Sequence, residues 1–79
     1  MQIEYTRESI KQIKNLDKFM KQRVKHAIEK LPEGDIKKLK GFKNDYRLRV
    51  GDYRILFSSA EGQIIVKAVL PRGKVYKRM

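Results

Sequence analysis

Residues 46–57 read YRLRVGDYRILF, and the fold turns on how this stretch pairs with itself. Tyr46, Leu48 and Val50 alternate with Arg47 and Arg49; beyond Gly51-Asp52, Tyr53, Ile55 and Phe57 alternate with Arg54 and Leu56. A period of two on either side of a Gly-Asp dipeptide predicts a β-hairpin closed by a two-residue turn. Such a turn sets Val50 opposite Tyr53, Arg49 opposite Arg54 and Leu48 opposite Ile55, since facing residues of an antiparallel ladder share a face. A slip of one residue would expose Tyr53, Ile55 and Phe57 and drive Arg54 inward, so burial fixes the register.

That register crowds Arg47, Arg49 and Arg54 onto the outer face. Like charges directly opposite one another are destabilising, by about 0.2–1 kcal/mol per pair. An anion lying across them would reverse the penalty through paired guanidinium hydrogen bonds. Otherwise the arginines splay into water and stack on neighbours such as Leu56. No carboxylate is expected on the patch, which favours the anion. If Ser59–Gly62 form the next loop, Lys67 comes opposite Arg54 and lengthens the row.

Upstream, Ile3 and Tyr5 alternate with Gln2 and Glu4, a short strand pattern. Thr6 is then an N-cap for a first helix from Arg7, with Glu8 in its first turn and Ile10, Ile13 and Leu16 as its apolar stripe. Residues 15–17 break the pattern and Asp17 caps a second helix, in which Met20, Val24, Ala27, Ile28 and Leu31 recur at helical spacing. Leu31-Pro32 ends it. PEGDIKKLKGFKND (32–45) reads as a basic connector anchored by Ile36, Leu39 and Phe42. Downstream, Ile64–Leu70 is a strand stopped by Pro71 before the tail RGKVYKRM. The expected fold is α+β in a single domain, residues 1–79: an N-terminal strand, two helices, then an antiparallel sheet of three further strands.

At 79 residues one core can form, with a thin margin of stability. A net charge of +11 points to a polyanionic partner, or to a heavily solvated basic surface. With no cysteine there is no disulfide framework or thiolate site. His26, the only histidine, sits on the second helix without a companion histidine or a carboxylate cluster, so a solvated or packing role is expected and no metal or cofactor. No apolar run reaches bilayer length and the start has no leader pattern, which predicts a cytoplasmic protein without membrane contact.

The stretch LKGFKNDYRLRVGDYRILF (39–57), the strand IIVKAVL and the tail PRGKVYKRM together resemble the RelE family of toxins from bacterial toxin–antitoxin pairs. The order of strand and helices before them agrees, so the resemblance covers nearly the whole chain. It implies a fold similar to the small microbial ribonucleases and a protein that enters the ribosomal A site and cuts mRNA there without a metal ion. It also implies an active site on one sheet face, whose positions are held here by Arg47 and Arg49, by Arg54, and by Arg72 and Tyr76. The implied partners are a cognate acidic antitoxin and the ribosome with its mRNA and ribosomal RNA. Lys37, Lys38, Lys40, Lys43, Lys67, Lys74, Lys77 and Arg78 are candidate RNA-phosphate contacts, or simply solvated charge. A related branch, the ParE toxins, shares the fold but poisons DNA gyrase by binding, without nuclease chemistry.

Metal-free cleavage of RNA requires the 2′-hydroxyl to attack the adjacent phosphate. Guanidinium groups suit the positioning and the neutralisation, and one well-aimed donor can be worth about 3 kcal/mol. They are poor proton acceptors. Where family members carry lysines, or a glutamate and histidine pair, this chain has Arg47 and Arg49, so the general base stays open among Tyr76, Lys67 and Lys74. Tyr76 is equally a stacking group or a cap on the core.

Overall fold

The computed structural model of the protein describes residues 2–40 and 44–72. In chain order these form β1 (Gln2–Tyr5), α1 (Arg7–Lys14), α2 (Lys18–Glu29), β2 (Asp35–Lys38), β3 (Asp45–Val50), β4 (Tyr53–Ala60) and β5 (Gln63–Pro71). The sheet runs β1-β5-β4-β3-β2. Both helices start where their caps predict: Thr6 Oγ1 accepts from Ser9 N at 3.2 Å, and Asp17 Oδ1 accepts from Met20 N at 2.8 Å.

The hairpin has the expected register, with Val50 opposite Tyr53, Arg49 opposite Arg54 and Leu48 opposite Ile55. Its inner face packs on α2, which buries Val24 and Ile28 completely. Tyr46 and Phe57, opposite one another, stack with ring centroids 5.6 Å apart. Gly51 has φ +57, the left-handed value required at the first turn position, and its missing side chain leaves room for Arg23: Nη1 lies 3.1 Å from where a Cβ would sit.

Three features depart from expectation. The connector contains a strand, β2, antiparallel to β3, with Ile36 opposite Leu48. Its lysines and single half-buried anchor hide it from a pattern search, yet suit a short edge strand that discourages further pairing. The sheet therefore has four strands after the helices rather than three. It is also mixed, because β1 runs parallel to β5.

The third departure is a bulge. Leu56 faces Ala68 but Phe57 faces Val66, so Lys67 is an extra residue in β5. Inward positions thus shift from Ile64 and Val66 to Val69, all buried. Beyond the end of β1, Thr6 and the α1 residue Gln12 take over the edge of β5. Thr6 N donates to Val66 O at 2.9 Å and Thr6 Oγ1 donates to Lys67 O at 2.9 Å, while Gln12 Oε1 accepts from Val69 N at 2.6 Å. Among the described residues no helix is long and apolar enough to cross a membrane.

This arrangement makes Leu48 and Gln12 sensitive positions for different reasons. Leu48→Ala should cost about 2–5 kcal/mol through the cavity it leaves, and Gln12→Ala about 1–3 kcal/mol by stranding the Val69 N–H, both read from urea unfolding midpoints. Parental stability for Gln12→Ala would show that water serves that donor as well.

Candidate active site on the arginine face

Strand parity places Arg47, Arg49 and Arg54 together on the face away from the helices. Arg72 joins them by a separate route: Tyr53 lies opposite Pro71, and the Arg72 N–H donates to the Asp52 carbonyl, tying the end of β5 to the hairpin turn. The result is a cleft of about 110 Å³ lined by Arg47, Arg49, Gly51, Asp52, Tyr53, Arg54 and Arg72. Four of the five expected positions thus converge. The fifth, Tyr76, lies outside the described residues, as do Lys43, Lys74, Lys77 and Arg78.

Arg47 is half-buried, and its Nε is a buried donor with no acceptor among the described residues. Leaving such a donor unsatisfied costs about 1–3 kcal/mol, more for a charged group.

The expectation for Lys67 does not hold. Leu70, not Lys67, lies opposite Arg54, because β4 continues to Ala60 and the bulge shifts the pairing. Lys67 Nζ instead sits 3.2 Å from Asp45 Oδ1, an ion pair on a carboxylate that is almost buried. Nor is the face free of carboxylates. Asp45 was readable: the parity that turns Arg47 outward turns Asp45 outward too. Asp35 was not, because only the β2 pairing sets it opposite Arg49. The same pairing puts Lys37 beside Arg47 on the arginine face and Lys38 beside Tyr46 on the other, so the two lysines point to different surfaces. Lys40 is exposed just beyond β2.

A second, wider cleft of about 450 Å³ lies between α2 and the β2–β3 edge. Arg23, His26 and Lys30 line one wall, Glu33 and Asp35 the other, and Arg49 and Gly51 are shared with the arginine cleft. His26 is exposed, as expected, but it shares this cleft with Arg49 rather than standing apart from the arginine strand.

Comparison with known proteins bears on the family and the fold. A family model described as the ParE toxin of type II toxin–antitoxin systems, parDE, matches residues 3–76. The chain is 33% identical over 84 residues to Toxin RelE3 of Methanocaldococcus jannaschii, covering 96% of each protein. Among solved structures, the toxin in the RelB–RelE antitoxin–toxin complex from Methanococcus jannaschii superposes with a TM-score of 0.76 at 32% identity, over 86% of this chain and 88% of that one. A chain of the archaeal RelE–RelB complex from Pyrococcus horikoshii OT3 gives 0.75 at 26% identity, over 94% and 97%.

Arg54 has Arg49 directly opposite on one side and Leu70 on the other and makes no ion pair among the described residues, with Asp52 further along the cleft wall, so removing its charge chiefly relieves the repulsion from Arg49. Arg54→Met, which keeps the apolar stem, should raise stability by about 0.2–1 kcal/mol at low ionic strength, and the gain should shrink as salt screens the parent. Urea unfolding at two salt concentrations checks this, and a salt-independent change would assign the effect to packing.

Proposed function

The chain belongs to the RelE/ParE superfamily of toxins from type II toxin–antitoxin systems, and from that premise we propose that it is a ribosome-dependent endonuclease that cuts mRNA in the A site by metal-free attack of the 2′-hydroxyl. The observation that carries this reading is the convergence of Arg47, Arg49, Arg54 and Arg72 on one cleft. Four guanidinium groups brought together without a bound anion repel one another. Each can offer paired donors to a phosphate that gains negative charge as the 2′-oxygen adds to it.

In this reading Arg47, Arg49, Arg54 and Arg72 hold the phosphate oxygens through their guanidinium N–H groups. Lys37, beside Arg47, and the exposed Lys38 and Lys40 contact ribosomal RNA phosphates, and Lys43, Lys74, Lys77 and Arg78 add to that set. Lys67 contributes its backbone bend and its pairing to Asp45 rather than a free charge. Tyr76 serves as a stacking or proton-transfer group at the tail.

A RelB antitoxin accompanies the toxin in both archaeal complexes. The corresponding partner here is an acidic antitoxin that covers the basic surface and helices. Action on ribosomes places the protein in the cytoplasm.

The test is to add the purified toxin to stalled ribosomes and map the mRNA ends. Cuts within the A-site codon are expected, whereas intact mRNA together with blocked gyrase would assign the chain to the gyrase-directed branch instead. Arg54→Ala and Arg72→Ala should each lower the single-turnover rate about a hundredfold or more with ribosome binding nearly intact, because their contacts strengthen in the transition state. Lys40→Ala should weaken binding modestly, most at low salt and less as salt rises, and leave the saturated rate unchanged.

A further inference from the structure

We propose that Asp52 accepts the proton of the attacking 2′-hydroxyl; this deepens the nuclease reading and rests on it. Cleavage needs a proton acceptor beside the phosphate site, and the groups lining the arginine cleft leave few choices. Guanidinium groups stay charged and do not accept protons. Tyr53 packs against the core. Asp52 is the remaining titratable group on the cleft wall among the described residues.

The other carboxylates of this face are engaged or displaced. Asp45 is 7% exposed and paired with Lys67. Asp35 lines the α2 cleft, not the arginine cleft. Asp52, by contrast, is exposed at the rim. Its main-chain carbonyl is held by the Arg72 N–H, which fixes the residue against the strand end that delivers Arg72.

The turn itself does not require a carboxylate. Gly51 takes the left-handed position, and Asn or Ser would follow it as well as Asp does. A carboxylate residue on the wall of a cleft lined by four arginines, at a place where conformation does not demand it, is the observation that the proposal rests on.

The step balances as follows. The proton of the 2′-hydroxyl passes to an Asp52 carboxylate oxygen as the O2′–P bond forms. The P–O5′ bond breaks and the 5′-oxygen takes a proton from water, leaving a 2′,3′-cyclic phosphate and a 5′-hydroxyl. Asp52 then returns its proton to solvent. The arginines hold the phosphate oxygens throughout.

Single-turnover cleavage of ribosome-bound mRNA by the parent, Asp52→Asn and Asp52→Glu tests this, with thermal melting to verify folding. Asp52→Asn keeps the side chain's shape and the turn's preference, so the fold is retained. Its rate should fall about 10²–10⁴-fold, while ribosome affinity holds or tightens because a negative charge has left a basic face. The rise of rate with pH on the acid side of the parent's profile should vanish, and Asp52→Glu should recover part of the rate together with that limb. A parental rate and pH profile in Asp52→Asn would refute the role of Asp52 and leave the nuclease reading standing. A parent that leaves A-site mRNA intact would overturn both.

Discussion

Everything on the outer face follows from the pairing of Leu48 with Ile55 on the inner one. Both are buried beneath α2, and strand parity lets neither turn without turning its neighbours. The repulsion between Arg49 and Arg54 is therefore imposed by the core: the few kcal/mol from burying these aliphatic side chains exceed the cost of one like-charge pair. A small protein can in this way hold concentrated positive charge rigidly, since the charges have no alternative register to escape into. Preorganisation of this kind makes donors effective toward a developing negative charge, because no reorganisation is left for the reaction to supply.

The hairpin and the helix starts were legible because each rests on local chemistry. Gly51 needs positive φ, Thr6 and Asp17 offer side-chain oxygens to free N–H groups, and Val24, Ile28 and Leu31 recur at helical spacing. β2 was not legible. Its sequence DIKK has no alternation and poor strand propensity, and it is a strand only because β3 offers it an edge. The parallel pairing of β1 with β5 was hidden for a similar reason, since it joins residues some sixty positions apart with no turn between them to read.

The site divides along the same line. Arg47, Arg49 and Arg54 could be placed from parity alone, whereas Arg72 needed the contact between β5 and the turn. Lys67 went astray first because β4 runs on to Ala60, leaving a turn of only Glu61-Gly62, and then because a bulge has no signature in IIVKAVL: plain alternation would send Ala68 inward, and small apolar Ala68 raises no objection. Asp52 was overlooked for the opposite reason. As half of a turn dipeptide it already had an explanation, and a residue with a sufficient structural reason invites no second one.

The bulge makes Lys67 supernumerary to the sheet. Were residue 67 absent, Val66 and Ala68 would follow each other in unbroken alternation, and the pairs from Tyr53–Pro71 to Ala60–Gln63 would keep their partners. Strand length at this point is thus free to vary by one without turning any other side chain over. Charge and edge protection have no such freedom, because residue 67 supplies both the ammonium beside Asp45 and the carbonyl that receives Thr6 Oγ1. Loss of the residue would remove the ammonium beside Asp45 and the acceptor of Thr6 Oγ1 together, so one position in the chain serves two elements distant from it in sequence.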